Sequence, residues 1–299
     1  MSDYNPFDDE TIARGSTASD QRWAPADSGL ISEVPPGVDP YVTGAATTEG
    51  YADQYAESVD PTAVLPGGGG YQQGAHLGYA VDLVFVIDIT GSMKPVLDQV
   101  KAGAMGFHDH LLRVMGAKDK HVTSLRVRVV AYRDYLDNAA DGLFHTPFMS
   151  LPEEGHVFSN YVAGLHPDGG GDEPESGLEG LAVACLSDWE RGLDRRRHVV
   201  VLFTDASAHP LETARARAVP GYPTGLPATF DELTDMWDDP QGAAMEFAAK
   251  RLLLYAPDVY PWNVISANWD NVLHFPSRAG AGLNEVQFGQ IVDAIAGSV

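Results

Sequence analysis

Three of the five residues that follow an apolar run have oxygen-bearing side chains, at a spacing that could bind a cation. The run covers 81–87 and is interrupted only by Asp82; Asp88, Thr90 and Ser92 follow it at alternate positions. If the run is a strand of an open α/β sheet, these side chains enter the crevice at its carboxyl end, where ligands bind. One carboxylate and two hydroxyls are hard, mostly neutral oxygen ligands. They suit Mg²⁺, Mn²⁺ or Ca²⁺ better than zinc or iron.

A second aspartate follows another apolar run. That run covers 198–203, and Asp205 stands two residues after it. The most apolar strands of a doubly wound sheet are central, so the carboxyl ends of the two runs are expected to lie side by side. Asp88 and Asp205 would then repel each other unless a cation or strong donors compensate their charge. The alternative is that each aspartate caps the turn or helix that follows it.

With these residues in place, the sequence resembles the von Willebrand factor A domain over roughly residues 80–296. That family has a metal-ion-dependent adhesion site, built from an Asp-x-Ser/Thr-x-Ser motif after the first strand and an Asp after the fourth. The resemblance implies that Asp88, Thr90, Ser92 and Asp205 bind the metal. It also implies that the ion is Mg²⁺, with Mn²⁺ or Ca²⁺ as alternatives, and that the chain is similar to bacterial stand-alone members.

The family places a third ligand in a loop between those two motifs, and this chain has a Gly-rich loop at 169–177. The loop resembles the Asp-x-Pro-Glu loop of integrin β-subunit I-like domains, which implies that Glu175 binds the ion. In that subfamily an Asp of this loop and an Asp after the second strand hold a second, neighbouring cation. The matching residues here are Asp172 and Asp134, which would hold that second cation or support the first one. Gly170 stands where the subfamily has an Asn ligand of the second cation. The alternatives are a salt bridge or turn role for Asp134 and, for Asp172, orientation of its own loop.

The ligands implied by the resemblance leave one coordination position open. Mg²⁺ takes six oxygens, and hydroxyl ligands donate little charge, so the ion can accept a carboxylate from a partner's Asp or Glu. We therefore expect a non-enzymatic, metal-dependent protein-binding or scaffold module without catalytic residues. Partners implied by the resemblance are Ser/Thr kinases, phosphatases and AAA+ ATPases.

The alternative is an enzyme that uses the same acidic crevice for metal-dependent phosphoryl transfer or hydrolysis. The sequence has no Gly-x-x-x-x-Gly-Lys-Ser/Thr loop and no Gly-x-Ser-x-Gly motif, and no recognisable general base or nucleophile accompanies the aspartates. His108 and His110 stand two apart on a predicted helix and therefore on different faces, which disfavours a zinc site.

The elements that must position these residues alternate between strand and helix. Residues 76–299 are predicted to form an α/β domain of the Rossmann-like, doubly wound type, with about six mostly parallel strands, one of them a short antiparallel edge strand. A long irregular loop is expected at about 206–240. The predicted strands are 81–87, 125–132, 145–151, 198–203 and 263–267, and the predicted helices are 94–115, 152–165, 174–189, 241–254 and 283–295.

Residues 1–75 differ in composition from the rest. Asp, Glu, Pro, Gly, Ser and Thr are frequent, and Arg14 and Arg22 are the only basic residues. This composition predicts an acidic disordered tail that ends in a flexible Gly-rich linker. Thr11 and Thr62 lie between acidic and aliphatic residues, which resembles sites that bacterial Ser/Thr kinases phosphorylate and forkhead-associated domains bind. Chance occurrence in an acidic tail is the alternative.

Composition disfavours several other kinds of partner. The 299-residue chain has a formal net charge of −23, which argues against binding to nucleic acid or to an anionic membrane. No apolar run is long enough to span a bilayer, and the first residues lack the pattern of a signal peptide. We therefore expect a cytoplasmic protein. Cys185, the only cysteine, stands among aliphatic residues and is expected to be buried.

Overall fold

The computed structural model describes residues 78–137, 142–169, 173–192, 195–242 and 244–299. The boundary predicted near residue 76 and the acidic segment before it lie outside the described residues. Thr11, Thr62 and Asp172 lie outside them as well, so the roles suggested for these three residues stay predictions. The other candidate site residues all fall within the described ranges.

The two apolar runs form the two central strands, β1 (Tyr79–Asp88) and β5 (Arg196–Phe203). They pair directly and in parallel, with Phe85 opposite Val201. Every residue of β1 after Tyr79 is buried, as expected for a strand covered on both faces. The carboxyl ends of the two strands therefore meet at one edge of the sheet, as the sequence predicts.

Five further strands complete the sheet of the described residues: β2 (Val122–Tyr132), β3 (Leu143–His145), β4 (Met149–Leu151), β6 (Lys250–Pro257) and β7 (Val272–Ser277). The order is β3-β2-β1-β5-β6-β7, and β4 also pairs with β2. Only β3 and β4 run antiparallel to their neighbour. From β1 the chain passes to β2 on one side and later to β5 on the other, which makes the β1–β5 boundary the topological switch point.

The predicted fold class, a doubly wound and mostly parallel α/β sheet, is confirmed. The antiparallel edge expected as one strand at 145–151 consists of two short strands, β3 and β4, which pair with different parts of β2. The described part of the chain has seven strands where about six are expected, because the edge is divided in two and because β6 and β7 take the place of the one strand predicted at 263–267.

Eight helices of the described residues cover the sheet: α1 (Lys94–Ala104), α2 (Phe107–Gly116), α3 (Gly155–Gly164), α4 (Gly177–Cys185), α5 (Ala214–Arg217), α6 (Phe230–Asp238), α7 (Trp262–Asn268) and α8 (Phe288–Ser298). Alternate residues of β1 divide the core. Leu83 and Phe85 pack with α1, α2, α3 and α8, whereas Val84 and Val86 pack with α4, α6 and α7. Cys185 is buried in the second layer, as predicted.

Two predictions near the end of the chain are wrong. Residues 250–254 belong to β6 and not to a helix, and residues 263–267 lie in α7 and not in a strand. Both segments contain only a short apolar run, 252–254 and 264–265, and in such runs the spacing of apolar residues does not separate a buried strand from a buried helix. Tertiary packing decides the outcome, because β6 lies between β5 and β7 and is covered on both faces.

Two other segments contain more structure than expected. The helix predicted at 94–115 is divided into α1 and α2 at residues 105–106, where Gly106 weakens a continuous helix. The loop predicted at about 206–240 contains α5 and α6. The first turn of α6 is capped by Thr229, whose hydroxyl accepts a hydrogen bond of 3.0 Å from the Glu232 amide. No helix in the described ranges is long and apolar enough to cross a membrane.

Candidate metal centre

Asp88 stands at the carboxyl end of β1 and is fully buried. Its Oδ1 accepts two hydrogen bonds from Thr90, at 2.7 Å from the hydroxyl and at 2.9 Å from the amide. Its Oδ2 accepts a third hydrogen bond, at 2.8 Å, from the hydroxyl of Thr204 at the end of β5. The carboxylate is thus held between the two central strands by donors from both.

Asp205 is joined to the first motif by Ser92. The Ser92 hydroxyl donates to Asp205 Oδ1 at 2.8 Å, across 113 positions of the sequence. Asp205 itself is buried, whereas Ser92 is exposed. The structure therefore brings together the four residues implied by the first and last motifs, Asp88, Thr90, Ser92 and Asp205, and their crevice faces solvent on the side of Ser92.

Burial makes the charge of Asp88 unfavourable. The pKa of Asp88 is raised to about 6, chiefly because burial removes solvent and to a small extent because of the Asp205 carboxylate, while the hydrogen bonds from Thr90 and Thr204 lower it and limit the rise. Two neighbouring carboxylates supported mainly by hydroxyl groups form a region of negative potential. A divalent cation placed there would remove the repulsion between them.

Glu175 lies beside the segment that follows Asp205. Its amide donates to the Ser207 carbonyl at 3.0 Å, and its carbonyl accepts from the His209 amide at 2.8 Å. The side chain of Glu175 is buried. The loop before α4 and the segment after β5 are therefore joined through their backbones, which holds Glu175 beside the segment that follows Asp205.

Tyr132 connects the three acidic residues. It ends β2 directly opposite Asp88 in the strand register, and it is fully buried. Burial raises the pKa of its phenol well above the ordinary value, and the carboxylates of Asp88, Glu175 and Asp205 raise it as well. All three carboxylates thus lie near one phenol. The sequence analysis missed Tyr132, because an aromatic residue at the end of a strand is indistinguishable from core until the register is known.

Asp134, two residues beyond β2, has a partner that the sequence analysis also missed. His209 Nε2 lies 3.2 Å from its Oδ2, and its Oδ1 accepts hydrogen bonds from the Leu136 amide at 2.9 Å and the Ser176 hydroxyl at 3.2 Å. Burial alone would raise the pKa of Asp134, but these bonds, that from His209 foremost, lower it. The geometry accords with the salt bridge and turn alternative, and a metal role for Asp134 stays a prediction.

Gly282 closes the site from the loop before α8. Its amide donates to Asp205 Oδ2 at 2.7 Å. Its φ of +62° lies in the left-handed region, and a Cβ atom at this position would lie 2.1 Å from the Ser92 carbonyl oxygen. Only glycine permits this approach. The signal in the sequence was the Gly-Ala-Gly run at 280–282, whose place in the fold could not be read from spacing.

The available donors fit a hard divalent cation. Within the described residues, no three His, Cys, Asp or Glu side chains lie close enough together to hold a metal ion by themselves. The carboxylates of Asp88 and Asp205 are instead complemented by the hydroxyls of Thr90 and Ser92. An all-oxygen set of this kind suits Mg²⁺, Mn²⁺ or Ca²⁺ and does not suit a soft metal ion.

Comparison with known proteins gives partial similarities. No family model matches the chain. Alpha-protein kinase vwkA of Dictyostelium discoideum is 30% identical over 159 residues, which cover 52% of this chain and 23% of that protein. The von Willebrand factor domain of the pilus tip protein Mfa5 from Porphyromonas gingivalis aligns at 20% identity and a TM-score of 0.30, over 44% of this chain and 39% of that one. The PilB minor pilin of Streptococcus sanguinis aligns at 10% identity and a TM-score of 0.41, over 73% and 62%.

This chain therefore spans less than a quarter of the length of the kinase it matches. The fold class rests on the architecture itself. The parallel centre, the order β2-β1-β5-β6 and the helices on both faces are those of a doubly wound α/β fold.

Proposed function

We propose that this chain is a metal-dependent protein-binding module, non-enzymatic and of the von Willebrand A type. In this proposal a divalent cation, Mg²⁺ in the first place, is held by the hydroxyls of Thr90 and Ser92 and by the carboxylates of Asp88, Asp205 and Glu175. The ion captures an acidic side chain of a partner protein. The module acts as a scaffold, and Ser/Thr kinases, phosphatases, AAA+ ATPases and forkhead-associated proteins are the candidate partners.

The observation that carries the proposal is the pairing of hydroxyls with carboxylates across two strands. Ser92, which follows β1, donates to Asp205, which follows β5, and Thr90 donates to Asp88. Each hydroxyl uses its proton on a carboxylate, so the lone pairs of its oxygen remain for a cation. If the two aspartates only capped local turns, no hydrogen bond would be needed between Ser92 and Asp205, which are 113 residues apart.

The exposure of Ser92 supports a site that a partner can reach. Thr90, Asp88 and Asp205 are buried, and Ser92 alone of the four is exposed. A cation bound largely by neutral hydroxyls retains much of its charge and attracts a further carboxylate. The side open at Ser92 is where a partner's Asp or Glu would approach.

Titration of full-length protein with Mg²⁺ by isothermal calorimetry tests the cation site. Asp205→Ala is expected to abolish binding, and Ser92→Ala to weaken it by at least about tenfold, because one oxygen ligand is lost. Asp98→Ala is the matched control, since Asp98 lies on α1 close to the motif but is exposed and pairs with Lys94. Wild-type protein that takes up no divalent cation would overturn the proposal.

Partner binding is tested by affinity purification with full-length protein, in Mg²⁺ and in chelator. We expect Asp88→Ala to abolish the metal-dependent complex and to leave the fold intact, as checked by circular dichroism. A complex that persists in chelator, or with Asp88→Ala, contradicts the proposed mode of binding. Turnover of a phosphate ester that depends on Asp205 would instead favour the enzymatic alternative.

A further inference from the structure

Tyr132 is a buried polar side chain to which the proposed cation site assigns no role. It ends β2 opposite Asp88 and has no exposed surface. Among the described residues its hydroxyl has no partner with hydrogen-bond geometry. A buried hydroxyl without a partner costs free energy, so its presence at this position needs an explanation.

The other hydroxyls of the site already donate to carboxylates. Thr90 and Thr204 donate to Asp88, and Ser92 donates to Asp205. Tyr132 is paired with Asp88 in the parallel register of β1 and β2, so the two side chains lie next to each other on the same face of the sheet. The hydroxyl of Thr204 approaches the Tyr132 hydroxyl, but the two groups do not meet hydrogen-bond geometry. Tyr132 thus brings to the site a donor that is not yet engaged.

Packing against α4 fixes the position of the ring. A Cβ atom at Gly180 would lie 2.8 Å from Cδ1 of Tyr132, and one at Gly177 would lie 3.1 Å from its Oη. Both glycines therefore make room for this ring, and Val86 of β1 adjoins it on the side of Gly180. The hydroxyl is held at the site by apolar packing and cannot turn toward bulk water.

We infer that the Tyr132 hydroxyl donates a hydrogen bond to an oxygen ligand of the bound divalent cation, a carboxylate or a water, without touching the ion. The inference rests on the proposed cation site. Groups that orient metal ligands in this way typically change metal affinity by about 10–100-fold when they are removed. Tyr132 is thus a positioning residue that strengthens cation binding.

The inference predicts opposite effects with and without the ion. In the ion-free protein the hydroxyl has no partner, so its removal is neutral or stabilising. In the ion-bound protein its removal loses a hydrogen bond to a charged site. A residue with a merely structural role would change the two states equally.

The test compares Tyr132→Phe with wild-type full-length protein by calorimetric titration with Mg²⁺ and by thermal unfolding in chelator and in excess Mg²⁺. We expect the dissociation constant for Mg²⁺ to rise about 10–100-fold. The melting temperature in chelator should stay equal or rise, and the increase caused by a fixed Mg²⁺ concentration should shrink.

Tyr255→Phe is the matched control. Tyr255 is a buried residue of the nearby strand β6, and its hydroxyl also has no partner among the described residues. Burial raises the pKa of Tyr255, and no carboxylate contributes. We expect its removal to leave Mg²⁺ affinity unchanged.

Each other outcome is decisive. Equal Mg²⁺ affinity of Tyr132→Phe and wild type overturns the inference and leaves the proposed site in place. Equal weakening by both tyrosine variants also overturns it, because the effect is then one of packing. Failure of the wild-type protein to bind Mg²⁺ overturns the proposed function itself.

Discussion

Strand β1 buries two carboxylates six residues apart, Asp82 and Asp88, and the two differ in the groups that donate hydrogen bonds to them. Arg126 donates to both oxygens of Asp82, at 2.8 and 2.6 Å, and Arg196 approaches it at 3.5 Å. Asp88 instead receives hydrogen bonds from the hydroxyls of Thr90 and Thr204. Along the described chain, no Lys or Arg forms a salt bridge with Asp88 or Asp205.

The difference is that the chain neutralises one buried carboxylate with its own cations and leaves the other without one. At the amino end of the strand the negative charge is compensated within the chain, by two arginines that also pair with Glu190. At the carboxyl end two carboxylates remain without such compensation, in a crevice open at Ser92. A buried charge that the fold does not neutralise is a candidate for an external cation.

Removal of Asp82 should have the largest effect on stability. Asp82→Asn takes away the bidentate partner of Arg126 and leaves Arg126 and the buried Arg196 with only the half-exposed Glu190, which should lower the free energy of unfolding by up to about 3–5 kcal/mol. Mg²⁺ affinity of the protein that remains folded should be unchanged. Urea unfolding measures the loss of stability, and calorimetry measures Mg²⁺ affinity. Asp88→Asn is the control: it should lose Mg²⁺ affinity without a comparable loss of stability in chelator. A loss of stability with Asp88→Asn in chelator as large as with Asp82→Asn contradicts the comparison.

Gly282→Ala should disrupt the carboxyl end alone. The new Cβ atom would lie 2.1 Å from the Ser92 carbonyl oxygen at a positive φ. Conformational strain of about 1–2 kcal/mol and overpacking of about 1–3 kcal/mol should add up. Mg²⁺ affinity should fall as well, because Gly282 also donates to Asp205. Gly280→Ala is the control, since Gly280 has a positive φ but open space around it. Equal melting temperatures of the two variants would show that the close contact is unimportant.

In the absence of metal, the stability of the protein should fall with rising pH as Asp88 becomes ionised. Burial raises its pKa from 3.8 to about 6. The folded protein therefore binds the proton of the Asp88 carboxyl more tightly than the unfolded chain does. The resulting contribution to stability is fully present below about pH 4 and is lost as the pH rises through about 6. Two pKa units correspond to about 3 kcal/mol. We expect unfolding in chelator to show this decrease in wild type and not in Asp88→Asn. Identical pH profiles would refute the assignment.

The approach of Asp88 to Asp205 could be predicted because it depends on the most regular part of the pattern. Continuous apolar runs mark central strands, and residues after such strands meet at one edge, so Asp88 and Asp205 could be placed together before the register was known. Short apolar runs lack this certainty, and for that reason 250–254 and 263–267 were assigned to the wrong elements.

The remaining parts of the site depend on tertiary distances. Tyr132 lies opposite Asp88 because of the register between β1 and β2. Gly282 contacts Ser92 although the two are 190 positions apart in the sequence, and the loop that carries Gly282 has no periodic pattern. His209 reaches Asp134 from the segment after β5, in a region that the sequence indicates only as a long loop. Residues of this kind are found when the backbone is known, because their types are equally common in cores and turns.

The pairing of β1 on both sides has a mechanical consequence. Its register with β2 extends from Tyr79 to Asp88, and its register with β5 from Ala80 to Ile87. A load applied at the end of this strand acts lengthwise, in shear, on two parallel ladders at once, so many hydrogen bonds must fail together before the strand slides. A ligand held at Thr90 and Ser92 as proposed would therefore transmit a pulling force to a strand that is anchored on both sides along most of its length.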